Sequence, residues 1–317
     1  MSDDEAGKLI LYGLRPEEYE HPLDKKALEA LQDTPGLDKL LRWINEHYTE
    51  IQYTITHTGS NVKVTPTMFP ELYKALEDVC NAIHLRPMPD MYIQQSPIIN
   101  AFTVGSEHPI VVLNTATVEL LTLPELEYII GHECGHIKSG HCLYHMMAWY
   151  LLPAFGYAVE KVTLGLGGIA MDALYMGLSY WNRMSEYTAD RAGLLACQDV
   201  TAVITACMKM GGVPQNHYKD INPAGFLEQA RRFQEFDENT WKLVLKTIAI
   251  ADSTHPWTVY RAKELDKWVQ EGAYQKLLAL RGVRARYVDC SNPNCHNKLL
   301  DTVKFCNQCG TMVNGVK

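Results

Sequence analysis

The sequence is poor in several features that mark out whole classes of protein. It has no basic excess: 29 Lys and Arg against 37 Asp and Glu leave a net charge of −8. That excludes a general nucleic-acid binder, because phosphate binding needs a concentrated basic face. The basic cluster Arg281, Arg284 and Arg286 is short and reads as a solvated linker. No apolar core follows the acidic opening Met1-Ser2-Asp3-Asp4-Glu5, so the N-terminus reads as neither secretory signal nor transit peptide, and the expected compartment is the cytosol. A disulfide framework is missing too: Cys80, Cys134, Cys142, Cys197 and Cys207 stand singly, and the remaining four of the nine cysteines cluster at the C-terminus. No internal repeat is visible. What is present, 317 residues with 47% hydrophobic content, suffices for one large globular domain or two smaller ones.

The chain is organised around Gly131-His132-Glu133-Cys134-Gly135-His136. His132 and His136 are four apart, so on a helix their imidazoles project from one face and can grip a single metal ion, with zinc the expected one. Glu133 is rotated by about 100° from His132. In this motif its carboxylate stands beside the open metal position, where it can take a proton from water. Thr122-Leu123-Pro124-Glu125 reads as a capping box that starts the helix, and Leu126, Ile129, Ile130 and Ile137 supply its apolar anchors.

A catalytic zinc takes three protein ligands and keeps one position open. The metzincin extension is excluded, because its glycine and histidine positions hold Ser139 and Cys142. His141, five residues past His136, is turned off the metal-facing side and reads as a polar helix-end residue. Glu186, on a second helix expected over about Tyr180 to Cys197, can close a His-His-Glu site. Asp190 then falls on the same face, placed to accept the free N–H of a ligating histidine. An exposed acidic face is the plain alternative for both.

Elsewhere the pattern is mainly helical. Leu23 to about His84 carries apolar residues at helical spacing, among them Leu72, Leu76 and Val79, and reads as a packing subdomain without chemistry. Met91-Tyr92-Ile93, Ala101-Phe102-Thr103-Val104 and Ile110-Val111-Val112-Leu113 read as short strands, with Gly105-Ser106-Glu107-His108 as a hairpin turn. Asn100-Ala101-Phe102 is the candidate edge that presents an extended peptide to the metal, a core strand being the alternative. Ser139 to Val159 has no Asp, Glu, Lys or Arg, but His141, His145 and Pro153 interrupt it. Val162 to Met171 is a short apolar piece containing Gly165, Gly167 and Gly168. Buried or surface-lying helices are expected there rather than a transmembrane hairpin.

Four marks in order, Asn100-Ala101-Phe102, His132-Glu133-Cys134-Gly135-His136, Glu186 with Ala189-Asp190, and His255-Pro256 with Arg261, resemble the HtpX-like and CAAX-prenyl-protease group of gluzincin metallopeptidases, family M48. The resemblance covers roughly Leu37 to Lys267. It implies zinc on His132, His136 and Glu186, general-base work by Glu133, endopeptidase activity, and help from His255 or Arg261 in holding the transition-state oxyanion. Alternatively, His255-Pro256 shapes a turn and Arg261 pairs with Glu186 or Asp190. The sequence departs from the group in lacking clear spanning helices and in adding a C-terminal cysteine module.

In that module Cys290 and Cys295 face Cys306 and Cys309, and Cys309-Gly310 gives the tight turn of a zinc knuckle. His296 is the alternative to Cys295. Such a short module buries too little apolar surface to fold alone, so metal binding supplies its folding energy. It reads either as a cap on the protease body or as a docking element for a partner.

The expected architecture is α+β and mainly helical: an N-terminal helical subdomain (1–85), a gluzincin-type catalytic domain with a small sheet (86–280) and a zinc ribbon (281–317). The expected function is a soluble zinc endopeptidase with one catalytic and one structural zinc, acting on polypeptides. The alternatives are a latent or protease-like binding protein, and a membrane-associated quality-control protease that uses Ser139 to Trp181 as a peripheral anchor.

Overall fold

The computed structural model describes residues 8–32, 50–146, 168–238, 240–251, 255–284, 287–295, 298–300, 303–306 and 309–313. The body opens with β1 (Leu9–Leu11) and α1 (Pro22–Gln32), followed by α2 (Glu50–Ser60), β2 (Val62–Lys63) and α3 (Pro70–Ala82). In α3, Leu72, Leu76 and Val79 recur at helical spacing and are buried. In α1 the pattern is different: Asp24 is fully buried, while Ala27 and Leu28 are half-buried.

β3 (Asp90–Gln94), β4 (Ala101–Val104) and β5 (Ile110–Asn114) form a sheet with β2 in the order β2-β3-β5-β4. β3 and β5 run parallel, and β4 pairs antiparallel with β5 at the edge. Gly105, with φ +90, makes the β4–β5 turn, where a Cβ would meet His108 O at 2.9 Å. The Glu50 carboxylate at the head of α2 fixes the same turn by accepting the N–H groups of Ser106, Glu107 and His108 at 3.2, 3.2 and 2.7 Å.

After α4 (Thr115–Leu120), α5 (Leu123–Lys138) starts with Thr122 as its N-cap, whose N–H is accepted by Glu125 at 2.7 Å. The Glu125 carboxylate also accepts from Lys209 Nζ at 2.6 Å and Thr205 Oγ1 at 2.7 Å. α6 (Cys142–Met146) is one short turn. α7 (Gly168–Cys197) spans 30 residues and begins twelve residues before the expected Tyr180, because the apolar run after Gly168 contains no proline to break it.

α5 and α7 cross closely through small residues. A Cβ on Gly131 would stand 2.5 Å from Ala196 Cβ, and one on Gly135 would stand 2.5 Å from Ala192 Cβ. Gly193 lies over Tyr128. This crossing sets the histidine face of α5 against Glu186 and Asp190 of α7.

α8 (Val200–Met210), α9 (Pro223–Gln234), α10 (Thr240–Ala251), α11 (Thr258–Gln270) and α12 (Ala273–Arg281) complete the helical layer. β6 (Gly282–Arg284) returns to pair antiparallel with β1. Leu11, Leu72, Met91, Val111, Ile130, Leu194, Leu265 and Leu277 all enter one apolar core, so the segment read as an N-terminal subdomain shares its interior with the catalytic region. β7 (Tyr287–Asp289) and β8 (Lys298–Leu300) form the hairpin of the C-terminal module. Among the described residues no helix is long and apolar enough to cross a membrane. Residues 147–167, most of the apolar stretch of interest, lie outside the described residues.

Candidate active site

His132 and His136 are both buried on α5, and Glu186 of α7 is buried beneath them. His132 Nε2 lies 3.1 Å from His136 Nε2, and the Glu186 carboxylate oxygens lie 3.4 Å from each. Two ligands bound to one zinc at 2.0–2.1 Å and a tetrahedral angle are separated by roughly 3.3 Å. The three side chains are therefore spaced as zinc ligands. Glu186 Oε2 is buried without a hydrogen-bond partner among the described residues, a condition that a bound cation relieves.

The electrostatics agree. Burial and the Arg261 guanidinium lower the His132 imidazole, but bonds to Asp190 and Glu186 outweigh them and bring it up to about 9. Burial pushes His136 down to about 4. The negative charge of the site thus draws one positive partner into the cluster, the role that a divalent ion takes over.

Asp190 carries the support of His132. Its Oδ1 is 2.9 Å from His132 Nδ1 and accepts from Tyr128 OH at 2.7 Å and Arg261 Nη2 at 2.6 Å. Arg261 Nε also donates to Oδ2 at 3.0 Å. Arg261 is buried, and two of its nitrogens are engaged on Asp190, with Nη1 3.8 Å from Glu186. The guanidinium therefore holds the carboxylate that orients His132, which fits the salt-bridge alternative better than an oxyanion donor. His255 stands at the rim, its half-exposed ring 3.8 Å from Glu186 Oε2.

Glu133 faces a cleft of about 190 Å³ whose lining includes Asn100, Ala101, His132, His255 and Arg261. Burial pushes its carboxyl up to about 7; the Glu186 charge adds to the rise and His132 opposes it. Asn100 and Ala101 of the expected edge strand line this cleft. Phe102 does not: strand alternation turns it to the other face of the sheet, 5.5 Å from the His57 ring of α2.

The structure adds residues to the site that the sequence pattern does not mark. His141 does sit at the end of α5, its N–H donating to the His136 carbonyl at 3.0 Å, but it is not turned away from the site: it is fully buried, with Nδ1 3.0 Å from His136 Nδ1. The helical arithmetic fails because α5 ends at Lys138 and Gly140, with φ +72, turns the chain back over His136. Asp24, on the far side of His141, and Tyr128 carried no local signal. Gly131 and Gly135 did carry one: they repeat the four-residue spacing of the histidines.

The cysteine module forms a second centre. Cys290 Sγ is 3.5 Å from Cys309 Sγ, Cys295 Sγ is 3.7 Å from Cys306 Sγ, and all four sulfurs lie within 4.8 Å of one another. Thiolates on one tetrahedral zinc at 2.3 Å are roughly 3.8 Å apart. Cys306 closes its knuckle by accepting the Gly310 N–H at 2.8 Å, with Gly310 at φ +72. His296 lies outside the described residues.

Comparison with known proteins settles the family. Residues 66–269 match the model described as Peptidase family M48. The chain belongs to that family. The M48 chain carries in addition a match to a zinc-ribbon domain over residues 293–313. It is 30% identical over 278 residues to the plastoglobule-localized metallopeptidase 48, chloroplastic, of Arabidopsis thaliana, covering 85% of this chain and 77% of that protein. A Protease HtpX homolog of Thermodesulfovibrio yellowstonii is 34% identical over 100 residues, 31% of this chain and 35% of that protein. Protease HtpX homolog 2 of Methanosarcina acetivorans is 23% identical over 241 residues, covering 68% and 77%. No solved structure matches. Membership of M48 makes the chain a zinc protease, a hydrolase of polypeptides; its fold is mainly helical α+β, and the C-terminal zinc-ribbon match adds a cysteine cluster.

Proposed function

We propose that this M48 protease is an endopeptidase in which His132, His136 and Glu186 hold the catalytic zinc and Glu133 is the general base. The observation that carries the reading is the three-atom cluster of His132, His136 and Glu186 beside the Glu133 cleft. Zinc at these ligands supplies Lewis acidity toward the scissile carbonyl and toward water. Glu133 takes the proton of the attacking water and delivers it to the leaving amine; a carboxyl raised toward neutrality suits both halves of that transfer.

β4 lies at the sheet edge, next to the cleft. An extended substrate pairs with such an edge through its backbone, which requires no free terminus and therefore favours internal cleavage. His255 at the rim is placed to donate to the developing oxyanion, while Arg261 acts through Asp190.

The deciding experiment compares hydrolysis of unfolded casein by the wild type and by Glu133→Gln, with zinc content measured on both. The variant should keep its zinc and lose activity by about 10²–10⁴-fold, the usual contribution of a positioned general base. Comparable hydrolysis by the two proteins would sink the mechanism. Zinc content also tests the ligand set. Two ions per chain are expected in the wild type, one catalytic and one in the ribbon, and Glu186→Ala should retain one. Two ions in that variant would remove Glu186 from the ligands.

A further inference from the structure

The two histidines of the zinc site are supported differently. His132 reaches a carboxylate directly, through Asp190, and that carboxylate is neutralised by Arg261. His136 reaches a carboxylate through another imidazole. His141 lies between them, its Nδ1 3.0 Å from His136 Nδ1 and its Nε2 3.1 Å from Asp24 Oδ2. Asp24 Oδ2 accepts from Thr188 Oγ1 at 2.6 Å, and Thr188 Oγ1 accepts the backbone N–H of His21 at 2.9 Å. Asp24, His141 and Thr188 are fully buried.

We propose that Asp24 and His141 are positioning residues for the catalytic metal, carrying one line of buried polar contacts from His136 to the N-terminal helix α1. This rests on His136 binding zinc through Nε2. A neutral imidazole bound at Nε2 has its proton on Nδ1, so His136 donates to His141. His141 then accepts at Nδ1, carries its own proton on Nε2, and presents it to Asp24. His141 Nε2 stands 3.1 Å from Asp24 Oδ2 but outside hydrogen-bond alignment, so that link is a close polar contact, and from Asp24 the line continues through Thr188 to the backbone N–H of His21.

The charge of Asp24 points the same way. Its carboxylate has no Lys or Arg contact among the described residues, and its Oδ1 has no hydrogen-bond partner there. A buried carboxylate without a cation is costly. The divalent ion, two imidazoles away along the chain, supplies the missing positive charge. α1 is itself seated on the metal-bearing helices. Arg191 of α7 donates to the carbonyls of Tyr19 and Glu20 at 3.2 and 3.0 Å, and Tyr19 OH lies 3.0 Å from Ser139 Oγ at the end of α5. On the α1 side the partners Tyr19, Glu20, His21 and Asp24 all lie ahead of the stretch matched to the family, 66–269.

A different use of the same side chains would be a second metal site, since His136, His141 and His145 also offer nitrogens within 4.8 Å of one another. The facing Nδ1 atoms at 3.0 Å and the 2.9 Å contact of His145 Nε2 with Ser185 Oγ occupy them in hydrogen bonds instead.

The test uses the full-length chain without substrate, so its outcome is independent of whether casein is cleaved. The ribbon keeps zinc, and the catalytic site is titrated with zinc against a competing chelator or loaded with cobalt(II). His141→Leu fills the space without hydrogen bonds, whereas the His141→Gln amide can accept from His136 and donate to Asp24. The leucine variant should raise the zinc Kd by about 10–100-fold and move the cobalt absorption band. The glutamine variant should restore most of both. Equal effects of the two variants, no effect of either, or a third metal ion per chain in the wild type would overturn the proposal. Should His141→Leu fail to fold, Asp24→Asn decides. It keeps an acceptor but loses the charge, so it should weaken zinc by about 10-fold, and an unchanged Kd and cobalt band would overturn the relay.

Discussion

The two candidate metal centres of this chain are built in opposite ways. The ribbon takes all its ligands from Cys290 to Cys309, and its apolar support amounts to Leu299, Val313 and a partly buried Val288 packed against the cysteines themselves. The proposed catalytic centre gathers His132, His136 and Glu186 from two helices fifty residues apart, beneath a core to which the sheet and most of the helices contribute. In the first, the metal is the core. In the second, on the proposed ligand set, the protein forms the site and a metal would enter it, so that one centre would keep an open position for chemistry while the other would close on four thiolates.

Removing metal from both centres breaks the comparison most sharply. Chelation should unfold the ribbon, where zinc supplies roughly 10–16 kcal/mol of folding free energy, while the body keeps its helices. Hydrogen exchange should therefore show residues 287–313 losing protection and α5 and α7 retaining it. Collapse of both would mean that the body, too, depends on its ion. A smaller effect is expected where the body's support is polar. Lys209→Met strips the buried partner of Glu125 at the head of α5 and should cost about 3–5 kcal/mol in denaturant unfolding, with ribbon zinc unchanged. Smaller still is Gly135→Ala, whose new Cβ meets Ala192 at 2.5 Å. Overpacking of this kind costs about 1–3 kcal/mol, against a helix-propensity gain of about 1 kcal/mol. A lower Tm and weaker catalytic zinc are expected. A higher Tm would show that the close crossing does not set the distance between the histidines and Glu186.

The same contrast explains what could be read from the sequence. Local regularities translated well: the Thr122 capping box, the Leu72, Leu76 and Val79 stripe, the three strands around Gly105, and the four cysteines. The placement of Glu186 beside the histidines depended on matching a family pattern, because spacing alone left an exposed acidic face open. What failed was extrapolation of a local rule past its range. Helical rotation places His141 off the site although the helix has ended, and the helix of Glu186 begins at Gly168 rather than at the expected Tyr180. Asp24 lay beyond any such reading, since its partner is more than a hundred residues downstream. The i,i+4 pair Gly131 and Gly135 was legible but overlooked, being interleaved with histidines of the same period.

The pairing of β1 with β6 sets a timetable for the newborn chain. Leu9 leaves the ribosome early and waits for a partner, Arg284, that is made last of all the body's strands. At about 5–20 residues per second, the roughly 270 intervening residues take on the order of a quarter of a minute to a minute to synthesise. Until then β1 is held by the Gln198 amide, which brackets the Leu9 backbone, and by Leu11 in the core, and its sheet is closed only when β6 has been made.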